Sequence, residues 1–439
     1  MMISNTGFKI FQFCKKIKKF NRSITGEGNR LTLKEIKKEI NNLKILNFKS
    51  GFRAFDWVVP EEWNVIDAYI KDPNGKKIVD IKNNYLHLVG YSKPVKKLKI
   101  NLKNLKNKIY SLSKYPNSIP YITTYYKKDW GFCMTHSQKK KLKKGNYIVN
   151  INSNFKKGKM DYGEIFIPGK TKKEIFISTY ICHTQMANNE LSGIGVTTFL
   201  LKYLKNLPKQ NYSIRAVFIP ETIGSISYIK KNLNNLKKNV IAGFNITCVG
   251  DDRTYSYLPS RNENTISDIC AKHVLNWVYP KYKNYTWNER GSDERQYCSP
   301  GVDLPVVTIS RSKFGEFPEY HTSKDDFGNV VTPKGLLGSY SILLKIIQAV
   351  QNNCYPTSLK KCEPFMSKYK LYNPHKDTKY SQFHKFNSSN TDPLFNLLSQ
   401  ADGKKSLIEI ADKLLVPVWE LYKILEVLKK KKLIKILMK

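Results

Sequence analysis

The stretch Ile177-Ser-Thr-Tyr-Ile-Cys-His-Thr184 is followed, after one glutamine, by Met186-Ala-Asn-Asn-Glu-Leu-Ser-Gly193. The first run is apolar and β-prone until it reaches its polar end. Beyond the second, Val196, Phe199, Leu200, Tyr203 and Leu204 share one face at helical spacing. This reads as a strand, a polar loop and a helix, with His183 where the strand runs out. Ligands of open α/β sheets bind beyond the carboxyl ends of the strands, so His183 is a candidate site residue.

The same pattern recurs downstream. Strands are expected at 174–179, 214–219, 240–249 and 304–309, and helices at 195–207, 224–236, 265–278 and 334–352. Strands alternating with such helices imply a mainly parallel sheet flanked by helices, an α/β fold. Residues 1–63 are expected to supply an N-terminal helical part, and 151–354 the α/β core. Between them, at 64–150, short β-prone runs (65–70, 77–81, 86–89) alternate with turns such as Asp72-Pro-Asn-Gly75, which predicts a small inserted β-rich domain. Residues 355–390 read as a linker or arm. Residues 391–439 read as three short helices and a strand, a winged-helix-like module in which Ser406 and Glu409 form a capping box.

Composition narrows the function classes. With 41% hydrophobic and 12% aromatic residues in 439, the chain can fill sizeable cores and is not disordered. Its net charge of +40 comes mostly from lysine: only 9 of 75 basic residues are arginine, the side chain suited to bidentate phosphate and base contacts. We therefore assign the excess to the codon usage of an AT-rich genome and expect no nucleic-acid partner. Eight scattered cysteines contain no Cys-x-x-Cys pair, which argues against a thiolate zinc cluster and for reduced thiols. No signal peptide and no stretch of about 18 apolar residues is seen, so a cytoplasmic location without membrane insertion is expected.

Polar clusters follow or flank each expected strand: His183, then Glu221-Thr-Ile-Gly-Ser225, then Asn245-Ile-Thr-Cys-Val-Gly-Asp-Asp252, Gly291-Ser-Asp-Glu-Arg-Gln-Tyr297, and Glu319-Tyr-His-Thr-Ser-Lys-Asp-Asp326. A metal hydrolase needs imidazole and carboxylate ligands, an open position and a carboxylate base. His183, His321, Glu221, Asp293 and Glu294 supply those side-chain types. Asp325 and Asp326 read as turn and capping residues, and Asn189 either caps the helix or binds a ligand. The third helix of the terminal module turns Lys423, Glu426 and Lys429 outward, with no arginine. Protein or interdomain docking, or an oligomer contact, is expected there rather than DNA binding.

The collinear set Arg22-Ser-Ile-Thr-Gly-Glu-Gly28, Phe55-Asp-Trp-Val-Val-Pro-Glu-Glu-Trp63, Trp130-Gly-Phe-Cys-Met134, Cys182-His-Thr184, Met186 to Gly193, Pro220-Glu-Thr222, Gly291 to Tyr297 and Tyr320-His-Thr-Ser323 resembles the M28-type zinc aminopeptidases. More narrowly, it resembles a branch with an inserted β domain and a C-terminal winged helix, linked with bacterial surface-polysaccharide biosynthesis. The resemblance implies zinc, with His183 and His321 as the first and last zinc histidines and Glu221 as general base. It also places neutral residues where that family has carboxylates: Asn189 or Asn188 at the bridging aspartate, Thr222 at the second glutamate and Thr247 at a further aspartate. A single ion is therefore expected, held by His183 and His321 with an oxygen from Glu190, Glu221 or Asp293, and with Asn189 near it. Glu190, Glu294, Arg295 and Tyr320 are expected to contact a peptide-like or small-molecule substrate. The reading on these residues is a metal-dependent amide hydrolase; the alternative is a non-catalytic binding or accessory protein on a decayed peptidase scaffold.

Overall fold

A computed structural model of the chain describes residues 5–371 and 393–438. Much of the linker expected at 355–390 therefore lies outside the described residues. By contact density the chain divides into two compact units, Met1–Thr265 with Tyr282–Leu343, and Ile266–Lys281 with Leu344–Lys439.

The first unit is built on an eight-stranded sheet. Its order is Lys44–Lys49, Lys159–Ile167, Ser213–Ile219, Glu174–Tyr180, Val240–Ile246, Val306–Ser310, Ser256–Leu258 and Lys283–Asn284. The four central strands are parallel, as the βα alternation requires. Antiparallel pairings add Lys159–Ile167 and Lys44–Lys49 on one side and Ser256–Leu258 on the other, where Lys283–Asn284 then pairs parallel at the edge. Every residue of Glu174–Tyr180 is buried, which fits a central strand covered on both faces. The chain leaves this strand to add Ser213–Ile219 on one side and then returns to add Val240–Ile246 on the other. That reversal opens a crevice at the strand's carboxyl end, where His183 lies. The strand expected at 240–249 stops at Ile246, because Cys248 takes a left-handed backbone (φ 53°) that no strand continues.

After His183 the chain makes a π-helical turn, Ala187–Leu191, that leads directly into the helix Ser192–Lys205. Such turns recur at functional sites. Gly193 lets the helix close on the sheet: a Cβ there would sit 2.6 Å from the Ile246 carbonyl oxygen and 2.7 Å from the Thr179 hydroxyl. Preceding this core in the chain, a four-stranded antiparallel sheet runs in the order Lys77–Asp80, Glu62–Lys71, Asn146–Lys156, Val95–Asn101. The β-prone run 86–89 is not a strand. Asn84 accepts the Leu86 N–H at 2.9 Å and starts a short 3-10 turn, Tyr85–His87.

In the second unit, helices Pro393–Gln400, Leu407–Lys413 and Val418–Lys430 precede the strand Ile434–Leu437. The Ser406–Glu409 capping box is present. Tyr355–Ser358, expected to be irregular, instead pairs antiparallel with Ile434–Leu437. The helix Ile266–Val278 belongs to this unit and presents His273. The ring lies with Nδ1 2.6 Å from Asp412, and Nε2 accepts the Val418 N–H at 2.9 Å, so this histidine holds the unit together. Among the described residues no helix is long and apolar enough to cross a membrane.

Candidate active site

The first parallel strand positions His183. Ile181 still follows the sheet, donating its N–H to Ile219 at 3.1 Å, and the chain then turns away. A buried ion pair fixes the turn. Arg22 meets Glu190 at 2.6 Å, both side chains having no solvent exposure, and donates to the His183 carbonyl at 3.1 Å. Glu190 also accepts the His183 N–H and faces its Nδ1 at 3.4 Å. Holding Nδ1 against a carboxylate leaves Nε2 free to face the crevice, the arrangement that orients metal-binding imidazoles. Nε2 lies 3.7 Å from the Glu221 carboxylate. Burial lowers the His183 pKa, but Glu190 and Glu221 outweigh it, and the net shift is upward.

His321 approaches from the loop after Val306–Ser310. Its backbone is left-handed (φ 53°), a strained conformation for a non-glycine residue. The segment 119–123 holds it there: Tyr121 donates its N–H to the His321 carbonyl at 2.8 Å, and Ser323 donates to Ile119 at 2.8 Å. Tyr320 stacks on the ring at 3.9 Å between centroids, and Tyr121 meets it edge-on at 5.1 Å. Burial, then the neighbouring His183, push its pKa down to about 3, so the ring is neutral. Its Nε2 is buried without a hydrogen-bond partner. The His183 and His321 centroids are 5.3 Å apart.

Glu221 and Asp293 supply the carboxylates. Glu221 donates its backbone N–H to the Cys182 sulfur at 3.2 Å and accepts the Ser292 hydroxyl at 3.1 Å. Its side chain keeps 21% exposure, so a substrate can reach it. Burial raises its pKa, against the pull of His183 and Arg295. Next to it, Thr222 has a left-handed φ of 64°, which turns its N–H to Asp293 at 2.8 Å. Asp293 takes the Ser225 hydroxyl on the same oxygen at 2.8 Å, while its other oxygen is buried without a partner. Burial and the Glu221 charge push Asp293 up to about 8. Arg295 projects at the rim, bonded to the Thr222 hydroxyl at 3.0 Å.

Other expected residues take supporting positions. Glu294 is buried and accepts from Gly291, Ser292, Asn245 and Thr308, which braces the loop carrying Asp293. Both oxygens of Glu294 and both of Glu190 already accept hydrogen bonds from the protein. Asp325 accepts the N–H groups of Asn188 and Asn189 at 2.6 and 3.0 Å and so caps the π turn. The Asn189 side-chain amide donates to the Tyr180 hydroxyl at 2.7 Å and leaves its Oδ1 buried and unpaired. The Tyr180 hydroxyl also lies 2.5 Å from that of Thr247. The roles of Arg22, Tyr121 and Tyr180 were not read from the sequence. Arg22 stood in a quoted motif, and its rarity in this lysine-rich chain was the available signal.

The donor set can be tested against a cation. Two imidazoles bound to one tetrahedral zinc at about 2.0–2.1 Å have centroids about 5 Å apart, close to the spacing found. An unpaired imidazole nitrogen and an unpaired carboxylate oxygen, both buried, call for such a partner. Among the described residues, Cys182, His183 and Glu190 are the one set of three candidate ligands with atoms within 4.8 Å of one another, so His183, His321 and Asp293 would have to draw together around an ion. A cation between Cys182, His183 and Glu190 would compete with the Arg22 guanidinium for Glu190, so the Nε2 side fits better. Between Asn189 and Thr247 the ligands are neutral and the Tyr180 hydroxyl fills the gap, so a second ion does not fit.

Comparison with known proteins matches residues 11–353 to a family described as a domain of unknown function, DUF4910, and residues 353–436 to a winged helix-turn-helix. A Clostridium acetobutylicum protein named for polysaccharide biosynthesis and an aminopeptidase-like domain is 38% identical over 414 residues, covering 93% of this chain and 92% of that one. A crystal structure of a C. acetobutylicum protein described as a peptidase superposes with a TM-score of 0.91 at 36% identity, over 99% of this chain and 97% of that one. The zinc aminopeptidase of Bacillus subtilis shares the fold at 11% identity, with a TM-score of 0.58 over 78% and 94% of the two chains. The resemblance read from the sequence, an aminopeptidase-like fold with a C-terminal winged helix, holds.

Proposed function

The chain belongs to the DUF4910 family, and on that footing we propose that it is an amide hydrolase working with a single zinc ion at the His183–His321 site. The observation that supports this reading is the approach of the His183 and His321 rings, 5.3 Å apart between centroids, with the Glu221 carboxylate 3.7 Å from Nε2 of His183, beyond the carboxyl end of the central strand. His183, His321 and an oxygen of Asp293 would hold the ion, with the Asn189 amide beside it. Zinc held there would supply Lewis acidity toward a carbonyl oxygen and an attacking water. Glu221 takes the proton of that water as the C–O bond forms. It returns the proton to the leaving nitrogen as the C–N bond breaks. Arg295 and Tyr320 contact the substrate at the rim. Glu190, held in place by Arg22, keeps Nδ1 of His183 engaged so that Nε2 points inward.

The substrate classes are a peptide and an N-acylated amino sugar. The name of the C. acetobutylicum relative leads us to place the reaction in polysaccharide biosynthesis. We assign the winged-helix module to protein docking, since its third helix exposes Lys423, Glu426 and Lys429 but no arginine. The test is hydrolysis of aminoacyl anilides and of N-acetylated amino sugars, with and without added zinc. Zinc-dependent release from one of the two classes is expected, and its loss in the His183→Ala/His321→Ala variant. Failure of zinc-loaded protein on both classes sinks the hydrolase reading. It leaves the non-catalytic binding protein, which the neutral side chains of Asn189, Thr222 and Thr247 favour.

A further inference from the structure

The positive charge is not spread evenly along the chain. Between Asn64 and Lys159, 96 residues carry 22 lysines, no arginine, no glutamate and four aspartates, a net +18 of the chain's +40. That is about twice an even share. An AT-rich genome enriches lysine everywhere, but it does not remove glutamate, whose codons are also A-rich. Codon usage therefore accounts for a high lysine content along the chain as a whole, but not for the absence of glutamate and the doubled charge of this segment. Nineteen of the 22 lysines are exposed.

The sheet register gathers several of them. Asn101 pairs with Asn146, and Leu102 donates its N–H to Gly145 at 3.2 Å. This brings the short helix Leu102–Lys106, with Lys103 and Lys106, beside Lys141, Lys143 and Lys144, while Lys99 lies opposite Ile148 on the adjoining strand. The one acidic side chain placed near this end is Asp72, whose Oδ1 accepts the N–H groups of Asn74 and Lys76, a single negative charge against six lysines. Like charges crowded with so little counter-charge repel, and a bound polyanion relieves the repulsion.

We propose that this lysine-crowded end of the four-stranded sheet binds a linear acidic polysaccharide. Lysine ammonium groups act as point charges that match single carboxylates along a polymer; the fork that grips phosphate bidentately belongs to arginine, absent here. Nor does the sheet offer the stacking platform that single-stranded nucleic acid needs. Its exposed large side chains include Ile66, Leu98 and Ile148, and the Tyr69 ring is covered by the ammonium groups of Lys71 and Lys77. The inference goes beyond the hydrolytic reading and stands without it, because binding is measured without turnover.

The experiment uses the full chain with three probes: polygalacturonate, neutral dextran and oligothymidylate of matched charge. Polygalacturonate is expected to bind, dextran not to bind, and affinity to fall about tenfold or more from 50 to 200 mM salt. The Lys103→Glu/Lys106→Glu/Lys143→Glu/Lys144→Glu variant should lose at least about tenfold at an unchanged melting temperature, each reversed charge removing part of the salt-dependent attraction. The Lys429→Glu/Lys430→Glu/Lys431→Glu/Lys432→Glu variant, altered outside the segment, should bind as the parent does. Absence of polygalacturonate binding, equal loss in both variants, or tighter binding of oligothymidylate overturns the proposal.

Discussion

Glu221→Gln is expected to lower the zinc-dependent hydrolysis rate by about 100- to 10,000-fold, the usual contribution of a positioned general base. The exchange keeps the shape and the hydrogen bond from Ser292 but removes the proton acceptor. His183, His321 and Asp293 are untouched, so zinc content should not change. The two readouts together separate a base from a ligand. Loss of rate with retained metal supports the base; loss of both makes Glu221 a ligand. A rate within a factor of about three of the parent, less than a general base contributes, would remove Glu221 from the mechanism.

Arg22→Met is expected to destabilise the first unit by about 3–5 kcal/mol, because it strands a buried carboxylate. Glu190 has no exposure through which water could replace the guanidinium. The Ile17 and His183 carbonyls lose a donor as well. Adding Glu190→Gln should recover part of the loss, since the uncompensated charge is then gone; a double-mutant cycle measures that coupling. Thermal and urea unfolding followed by tryptophan fluorescence reads the effect. A change within about 0.5 kcal/mol, the range of ordinary surface substitutions, would show that the pair does not organise the His183 turn.

Much of this was legible in the sequence for a local reason. Hydrophobic period marked the buried strand before His183 and the helix after it, and a histidine at that junction stands where open α/β sheets bind ligands. His321 stood out through its neighbours Tyr320 and Thr322. The partnerships were not legible. Arg22 and Glu190 are 168 residues apart, and no spacing rule pairs them. Glu294 looked like a site carboxylate because of its place beside Asp293. Only the fold reveals that four donors surround it. His273 carried no context in sequence and turned out to be held between Asp412 and Val418, 139 and 145 residues away. Tyr180 reads as one more strand residue until Asn189 and Thr247 are seen on its hydroxyl. Local pattern encodes elements, whereas the polar partners of a buried site are set by tertiary contacts.

The most direct test of the single-ion site is an anomalous-difference map at the zinc edge from crystals grown with zinc. One peak is predicted, about 2.0–2.1 Å from Nε2 of both His183 and His321. Two peaks in the crevice, or a lone peak at Cys182 and Glu190 away from His321, would contradict it.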